Sequence, residues 1–422
     1  MHVSALLELF PPGSGADDDG MLRLGGCRAD DLVTEFGTPV LVVDEDALRR
    51  RARDYVDAFR SRWPRSEVAF ASKAFPCTAV QRVMTSEGLF LDVAGGGEIV
   101  TALAAGADPS RLVLHGNAKT DEELELAIRA GVGLVVVDNF DDIDRLDRIV
   151  PLGHVQPCLV RVIPGVQADT YAAVATGHAG SKFGLLPDDA REAIRRIGRS
   201  SVLRCDGVHT HVGSQLLDTG QLAAAVAPIA ALGTFDTYDL GGGLGVRYTY
   251  GDRAPSLDDY ADALIGQARE LLPAGSRILV EPGRSMVAAA ACTLYRVTTV
   301  KRGTLTHVAV DGGMGDNLEV SLYGQRFEAA IADRMGAHGD ELVTVVGRHC
   351  ESGDQLIDGI ELPAPRVGDV LAVPVTGAYC YTMSNQYNGA LRIPVVFVTD
   401  GTSRLVVRRD TWDDLLSRDV SG

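Results

Sequence analysis

The sequence has 422 residues, too many for one ordinary hydrophobic core, and its length indicates two or three domains, of which a barrel of about 250 residues counts as one. Its formal net charge of −17 argues against nucleic acid or an anionic membrane as a main partner, because both bind basic surfaces. The seven cysteines are scattered without CxxC spacing, and no apolar stretch reaches the ~20 residues of a bilayer span. With no secretory leader apparent, we expect a reduced, cytoplasmic protein.

The regular part of the chain opens with an apolar strand pattern at 38–44 and a helical pattern at 45–62, after a loop at 11–20. A strand and helix alternation follows, as parallel βα units require. This rhythm predicts a (β/α)8 TIM barrel, with an open doubly wound sheet as the alternative. The eight predicted strands are 67–73, 90–93, 111–115, 134–138, 156–163, 203–211, 236–240 and 277–281.

Beyond residue 281 the alternation stops, and strand patterns continue without regular helices between them. We therefore predict two domains: a (β/α)8 barrel at 38–285 and a mostly β, β-barrel-like domain formed by 1–37 with 286–422. The strands predicted in the second domain are 291–303, 306–311, 341–347, 369–375, 394–400 and 403–409.

Residues suited to chemistry stand at the ends of the predicted barrel strands, where barrels of this type build their active sites. A glycine run at 241–243 and 245 follows the seventh strand, in the region where barrels commonly bind phosphate. Taken alone, this run is as typical of a tight βα turn as of a phosphate loop. It is not a dinucleotide-binding fingerprint, because the third glycine of that motif is replaced by Val246. The strand-end residues are Lys73, Asp92, His115, Asp138, Arg161, His209, His211 and Glu281.

A strand-end lysine, a glycine-rich anion cradle and a carboxylate after the eighth strand together match the needs of pyridoxal 5'-phosphate. Lys73 offers the amine, and Glu281 offers the acid that keeps a pyridine nitrogen protonated. The alternative for Lys73 alone is a lysine that extends to water. We predict no metal site, because His209 and His211 both face inward only if the strand bulges.

An ordered series of segments gives the chain a resemblance to a known family: FASKAFP (70–76), HGNAKTDEEL (115–124), GVHTHVGSQ (207–215), DLGGGLG (239–245), EPGRS (281–285), VDGGMGDN (310–317), CESGD (350–354) and GAYCYTMSNQYN (377–388). Over almost its whole length the chain resembles the fold-type III pyridoxal-phosphate decarboxylases (ornithine/diaminopimelate/arginine decarboxylase family 2), and among them the actinobacterial diaminopimelate decarboxylases. The resemblance implies a decarboxylase with pyridoxal phosphate as cofactor and a homodimer with shared active sites.

The family's roles carry over to matching positions. Lys73 resembles the Schiff-base lysine, His211 the ring that stacks on the cofactor, and Glu281 the partner of its pyridine nitrogen. Cys350 resembles the proton donor and Glu351 a substrate contact, both supplied by the neighbouring subunit. The remaining cofactor contacts implied are Asp92, Ser214, Gly241, Gly242, Gly243, Gly283, Arg284 and Tyr379, and Arg284, Tyr323 and Tyr379 are also implied as substrate contacts.

One position departs from the family pattern. Where the family places an arginine that grips the substrate's distal carboxylate, the segment DNLEVSLY (316–323) has Glu319, although Tyr323 is kept. Because a carboxylate repels a carboxylate, we hypothesise a substrate other than meso-diaminopimelate, such as a basic amino acid or a specialised intermediate. The alternatives are that Glu319 points away while an arginine such as Arg326 takes over, which leaves meso-diaminopimelate decarboxylation, and also a catalytically silent relative or an amino-acid racemase.

Overall fold

The computed structural model describes residues 3–166, 177–178 and 180–420. Within that part, no helix combines the length and the apolarity that a membrane crossing requires. The strands in chain order are β1 (Gly15–Ala16), β2 (Leu22–Leu24), β3 (Cys27–Arg28), β4 (Val40–Asp44), β5 (Ser66–Ala71), β6 (Phe90–Val93), β7 (Leu112–Leu114), β8 (Leu134–Val137), β9 (Gln156–Val162), β10 (Leu203–Thr210), β11 (Thr237–Asp239), β12 (Arg277–Val280), β13 (Ala291–Lys301), β14 (Thr306–Val310), β15 (Ala330–Ile331), β16 (Glu341–Val346), β17 (Gln355–Leu362), β18 (Val370–Pro374), β19 (Val395–Thr399) and β20 (Thr402–Val407).

The helices are mostly short amphipathic segments between these strands. They are α1 (Val3–Leu6), α2 (Ala29–Phe36), α3 (Glu45–Arg62), α4 (Thr78–Ser86), α5 (Gly96–Ala104), α6 (Asp121–Ala130), α7 (Phe140–Ile149), α8 (Pro187–Ile197), α9 (Thr219–Ala224), α10 (Val226–Ala230), α11 (Leu257–Leu271), α12 (Arg284–Val287), α13 (Leu318–Tyr323) and α14 (Trp412–Leu416).

The chain forms two compact units. The barrel unit contains residues 51–246 and 254–285, and the β unit contains 1–50, 247–253 and 286–422. These limits assign residues 38–50 and 247–253 to the β unit, whereas the sequence analysis assigned them to the barrel domain. Strand β4 shows why for the first segment, because it pairs with β13 and β19 in a sheet of the β unit.

The barrel unit is a closed ring of eight parallel strands in the order β5 to β12. Closure is direct, since β12 pairs with β5 in the register Leu279 to Glu67, and this pairing excludes the open doubly wound sheet. Strands β7 and β8 are buried along their whole length, as parallel strands covered on both faces require. The predicted TIM barrel is therefore confirmed, and the ring brings the ends of all eight strands to one rim.

Local sequence signals explain where several barrel helices begin and end. Helix α6 starts with a capping box, in which the side chain of Thr120 accepts from the backbone of Glu123 and the carboxylate of Glu123 accepts from the backbone of Thr120. It ends at Gly131, whose φ of +80° is a left-handed conformation that favours glycine. These two signals fix where α6 begins and ends between β7 and β8.

The β unit is built around β13, which is eleven residues long and pairs with β4, β14 and β18. A buried cluster joins residues from both ends of the chain, for example Leu22 and Leu24 with Leu294 and Val396. Burial of these apolar side chains stabilises the unit by removing their surface from water. The predicted mostly β second domain is confirmed.

Candidate active site

Lys73 lies in a single turn of 3-10 helix, Ser72–Ala74, directly after β5. The predicted strand was two residues too long, because the backbone turns after Ala71 and Phe75 N donates to the carbonyl of Ser72. Lys73 Nζ lies 3.0 Å from Asp92 Oδ2, and 43% of the lysine side chain is exposed. A buried carboxylate thus orients the amine of a partly exposed lysine.

Asp92, on β6, is almost fully buried beside this amine. Burial alone would raise the pKa of its carboxyl, but the positive charges of Lys73 and His115 outweigh burial and hold that pKa low. Asp92 therefore stays a carboxylate, and its charge fixes the position of the Lys73 amine.

Glu281 follows β12 and is held from two sides by histidines of other strands. His115 Nε2 lies 2.6 Å from Glu281 Oε1, and His209 Nε2 lies 3.2 Å from Oε2. The two imidazole rings meet edge to face with centroids 4.9 Å apart. The Glu281 carboxylate is therefore fixed in orientation at the barrel rim.

The two histidines differ in their tendency to carry a proton. Burial lowers the pKa of His209 well below its usual value, and the nearby His115 adds to that effect. Burial opposes the proton on His115 as well, but Glu281 and Asp92 outweigh it, and the pKa of His115 is raised. The cluster thus favours a protonated His115 and a neutral His209.

His211 lies just past β10 and contacts the glycine run. Gly242 N donates to His211 Nδ1 at 3.2 Å. Burial, with Lys73 and Arg161 nearby, lowers the pKa of His211 well below its usual value, so its ring is neutral. A neutral imidazole is a flat, weakly polar surface that suits an aromatic neighbour.

The glycine run leaves no space for larger side chains. A Cβ on Gly242 would lie 2.0 Å from the carbonyl oxygen of Glu281, and Gly241 has a φ of +67°. A Cβ on Gly243 would lie 2.6 Å from the carbonyl oxygen of Gly213. The glycines therefore let the 241–243 segment pack directly against the backbone at Gly213 and at Glu281.

Ser214 and Arg284 lie on the same rim, where Arg284 Nε donates to Ser214 Oγ at 3.3 Å. Gly283 precedes Arg284, and a Cβ there would lie 3.0 Å from the Cβ of Ala71. The glycine therefore allows the turn that carries Arg284 to pack close to the segment that carries Lys73.

Asp239, which the sequence analysis did not single out, belongs to this cluster. It is buried at the end of β11 and accepts from Gly241 N at 3.0 Å. A carboxylate oxygen of Asp239 lies within 4.8 Å of a ring nitrogen of His115, a ring nitrogen of His209 and a carboxylate oxygen of Glu281. Burial and the charge of Glu281 raise the pKa of Asp239. In the sequence, the position of Asp239 two residues before the glycine run could have indicated that it belongs to the site.

Two further strand-end residues of the barrel unit, Asp138 and Arg161, pair with each other at 3.7 Å. The predicted substrate and proton-donor residues other than Arg284 belong to the β unit. Cys350 is exposed, whereas the other six cysteines, all in the described residues, are buried or partly buried. Glu351 is also exposed, Tyr379 is partly buried with a φ of +64°, and Tyr323 ends α13 partly exposed.

Glu319 differs from these neighbours because only 1% of it is exposed. The phenol of Tyr248, also buried, donates to Glu319 Oε2 at 3.3 Å. Tyr248 in turn packs edge to face on Phe327, with ring centroids 5.0 Å apart. Glu319 is therefore anchored within the β unit, whereas Arg326 is exposed.

The barrel rim supplies what pyridoxal phosphate needs from a protein: an amine at Lys73, a neutral ring at His211, a fixed carboxylate at Glu281 and a closely packed glycine turn. Residues 45–288 match the family model described as "Pyridoxal-dependent decarboxylase, pyridoxal binding domain". The chain belongs to the pyridoxal-dependent decarboxylases. It is a carboxy-lyase that uses pyridoxal phosphate, so the predicted enzyme class and cofactor are confirmed.

Similar proteins indicate which branch of this family the chain belongs to. The chain is 45% identical to a diaminopimelate decarboxylase of Actinosynnema pretiosum subsp. auranticum, over 98% of this chain and 95% of that one. It is 41% identical to that of Bacillus subtilis, over 96% and 97%. A structure of the diaminopimelate decarboxylase from M. jannaschii in co-complex with L-lysine matches with a TM-score of 0.90 and 29% identity, over 98% of both chains. The chain is thus a member of the diaminopimelate decarboxylase family.

Proposed function

We propose that this decarboxylase releases CO2 from meso-diaminopimelate and forms lysine. The observation that carries this proposal is the identity of 45% and 41%, along nearly the whole chain, to two diaminopimelate decarboxylases. A solved relative that covers 98% of the chain binds L-lysine, the product expected from this substrate. This proposal replaces our first hypothesis of a different substrate, which was based on Glu319 alone.

Each residue of the barrel rim would have its own role in the reaction, and Cys350 of the β unit would supply a proton. When bound, pyridoxal phosphate supplies the electron sink that accepts the electron pair left by CO2. Lys73 would hold the cofactor and later release the product amine, and Glu281 would keep the ring nitrogen protonated through its fixed negative charge. His211 would stack on the ring, while Ser214, Arg284 and the glycines at 241–243 would hold the phosphate. Cys350 would return a proton to the substrate carbon.

Glu319 favours a second candidate, a basic amino acid without a distal carboxylate. An acid at this position repels a distal carboxylate and attracts a cation. Its burial and its hydrogen bond with Tyr248 favour the first proposal instead, because they describe an acid with a partner inside the β unit. The two candidates therefore differ in the group that the substrate's far end carries.

A substrate panel distinguishes the two candidates. We expect CO2 release from meso-diaminopimelate to exceed release from lysine, ornithine and arginine by about 10²-fold or more in kcat/KM, because a site built for a polar group rejects analogues that lack it. Glu319→Gln should preserve that order, as should the exposed control Glu361→Gln. Faster turnover of a basic amino acid, lost in Glu319→Gln but not in Glu361→Gln, would establish the second candidate.

We also propose that the enzyme is a cytoplasmic homodimer in which Cys350 and Glu351 complete the site of the neighbouring subunit. The exposure of Cys350 supports this arrangement, since a proton donor for another subunit must be accessible on its own chain. The family resemblance supplies the assignment itself.

Mixing two nearly inactive variants tests the shared site. We expect Lys73→Ala and Cys350→Ala each to retain only a small residual activity and to recover about one quarter of the wild-type activity after subunit exchange, because half of the dimers are hybrids and each hybrid has one intact site. The measurement is kcat per cofactor after co-refolding or prolonged mixing. No recovery from a mixture shown by mass spectrometry to contain hybrid dimers would contradict the shared site.

A further inference from the structure

Two loops of the β unit meet at the side chain of Asp354. The first loop, 311–317, joins β14 to α13 and so leads into Glu319. The second loop, 347–354, joins β16 to β17 and carries Cys350. Asp354 closes the second loop and is only 4% exposed, so its carboxylate lies between the two segments that bear predicted substrate and proton-donor residues.

Each carboxylate oxygen of Asp354 serves a different loop. Met314 N donates to Oδ1 at 2.6 Å, and His349 N donates to Oδ2 at 2.8 Å. Hydrogen bonds to a carboxylate are about twice as strong as those between neutral groups, and burial strengthens them further. A single side chain thus joins the residue before Cys350 to the loop before α13.

Two glycines make room for this carboxylate. A Cβ on Gly313 would lie 2.6 Å from both Asp354 oxygens, and a Cβ on Gly347 would lie 2.2 Å from Oδ2. Both distances are too short for a real contact, so neither position accepts alanine while Asp354 keeps its place. The two loops are therefore shaped around the carboxylate.

Further contacts hold the backbone on both sides of Cys350. Gly315 N donates to His349 Nε2 at 3.1 Å, and the His349 ring stacks on Tyr387 with centroids 5.7 Å apart. Cys350 N itself donates to Asn388 Oδ1 at 2.8 Å. The backbone at Cys350 is therefore held, while its thiol is exposed.

We propose that Asp354 is a positioning residue that sets the place of the Cys350 thiol by joining the 311–317 and 347–354 loops. This inference rests on the proposed role of Cys350 as proton donor. Asp354 acts through Cys350 rather than on substrate, and it also fixes the start of α13. Misplacement of a reacting group by about 1 Å can cost about 10²-fold in rate, so a clamp of this kind bears directly on kcat.

The variant Asp354→Asn tests the clamp with minimal change in volume. One end of the new amide is an N–H donor that faces a backbone N–H, so one of the two hydrogen bonds is lost whichever way the amide turns. With the holoenzyme we expect kcat to fall about 10-fold or more, with a smaller change in KM. We also expect iodoacetamide to alkylate Cys350 faster, because the loop is released. Asp358→Asn, at an exposed position of β17, is the matched control and should change neither.

A double variant separates positioning from a general loss of structure. If Asp354 acts through Cys350, adding Asp354→Asn to Cys350→Ala should change the residual kcat by less than about 2-fold. An equal loss in both backgrounds, or full kcat in Asp354→Asn, would overturn the inference while leaving the role of Cys350 intact. Full kcat in Cys350→Ala would instead refute that role and the inference with it.

A measurement on the unmodified enzyme keeps the proposal testable if Asp354→Asn does not fold. The amides of Met314 and His349 should exchange with solvent at least about 10²-fold more slowly than in an unstructured peptide, because both donate to the buried carboxylate. Exchange of either amide at the unprotected rate would show that the clamp is not formed.

Discussion

Replacing Lys73 with alanine should lower kcat by about 10³-fold or more, because alanine has no amine with which to hold the cofactor. The bound cofactor should lose its visible imine absorbance, and borohydride should no longer attach it covalently to the protein. Absorbance spectra and mass spectrometry of the reduced protein measure both effects. This is the largest effect that we expect from a single substitution.

A second substitution, Lys73→Arg, distinguishes the chemical role of the Lys73 amine from the effect of its positive charge on stability. Lys73→Arg keeps a cation near Asp92, whereas Lys73→Ala leaves that buried carboxylate without its nearest cation. Both variants should be inactive, but the alanine variant should also unfold at a lower temperature. Lys301→Ala, at the exposed end of β13, is the matched control and should retain full activity. Covalent trapping of the cofactor in Lys73→Ala would contradict the assignment.

Replacing Glu281 with glutamine should lower kcat by about 10²-fold to 10³-fold while the cofactor stays bound. Glutamine has nearly the same shape, but it lacks the negative charge that favours a protonated pyridine nitrogen. The pKa of His115 should fall in the same variant, because Glu281 is the largest of the neighbours that raise it. The measurements are kcat, the spectrum of the bound cofactor and the titration of His115 by NMR.

The exposed acid Glu270 on α11 provides the control for this charge change. Glu270→Gln should leave kcat and the cofactor spectrum unchanged. If Glu281→Gln retained full kcat, the rate would not depend on this carboxylate, and another group would have to hold the ring nitrogen's proton.

Much of the barrel follows from local sequence patterns. All eight strands were predicted near their observed positions, because short apolar runs alternate with helical patterns and carry their own ends, such as the capping box at Thr120. The positions of Lys73 and Glu281 at the barrel rim were likewise predictable, since each ends an apolar strand pattern. Their significance came from the topology, which places all strand ends on one rim.

The parts that the sequence analysis missed depend on contacts between distant segments. The orientation of Glu281 depends on His115, just after β7, and on His209, within β10, and closure of the ring brings these residues together. The hydrogen bond between Tyr248 and Glu319 joins positions 71 residues apart, so the anchoring of Glu319 could not be read from its own segment. The substrate hypothesis built on Glu319 alone was weakened for this reason.

The pairing of β4 also determines the order in which the two units can fold during synthesis. Its hydrogen-bonded neighbours, β13 and β19, leave the ribosome only after every strand of the barrel. Until then β4 is an apolar strand with two open edges, which is the kind of segment that pairs with other chains. A nascent or truncated chain that ends before β19 would therefore leave an edge of β4 unpaired and should aggregate more readily than the full chain.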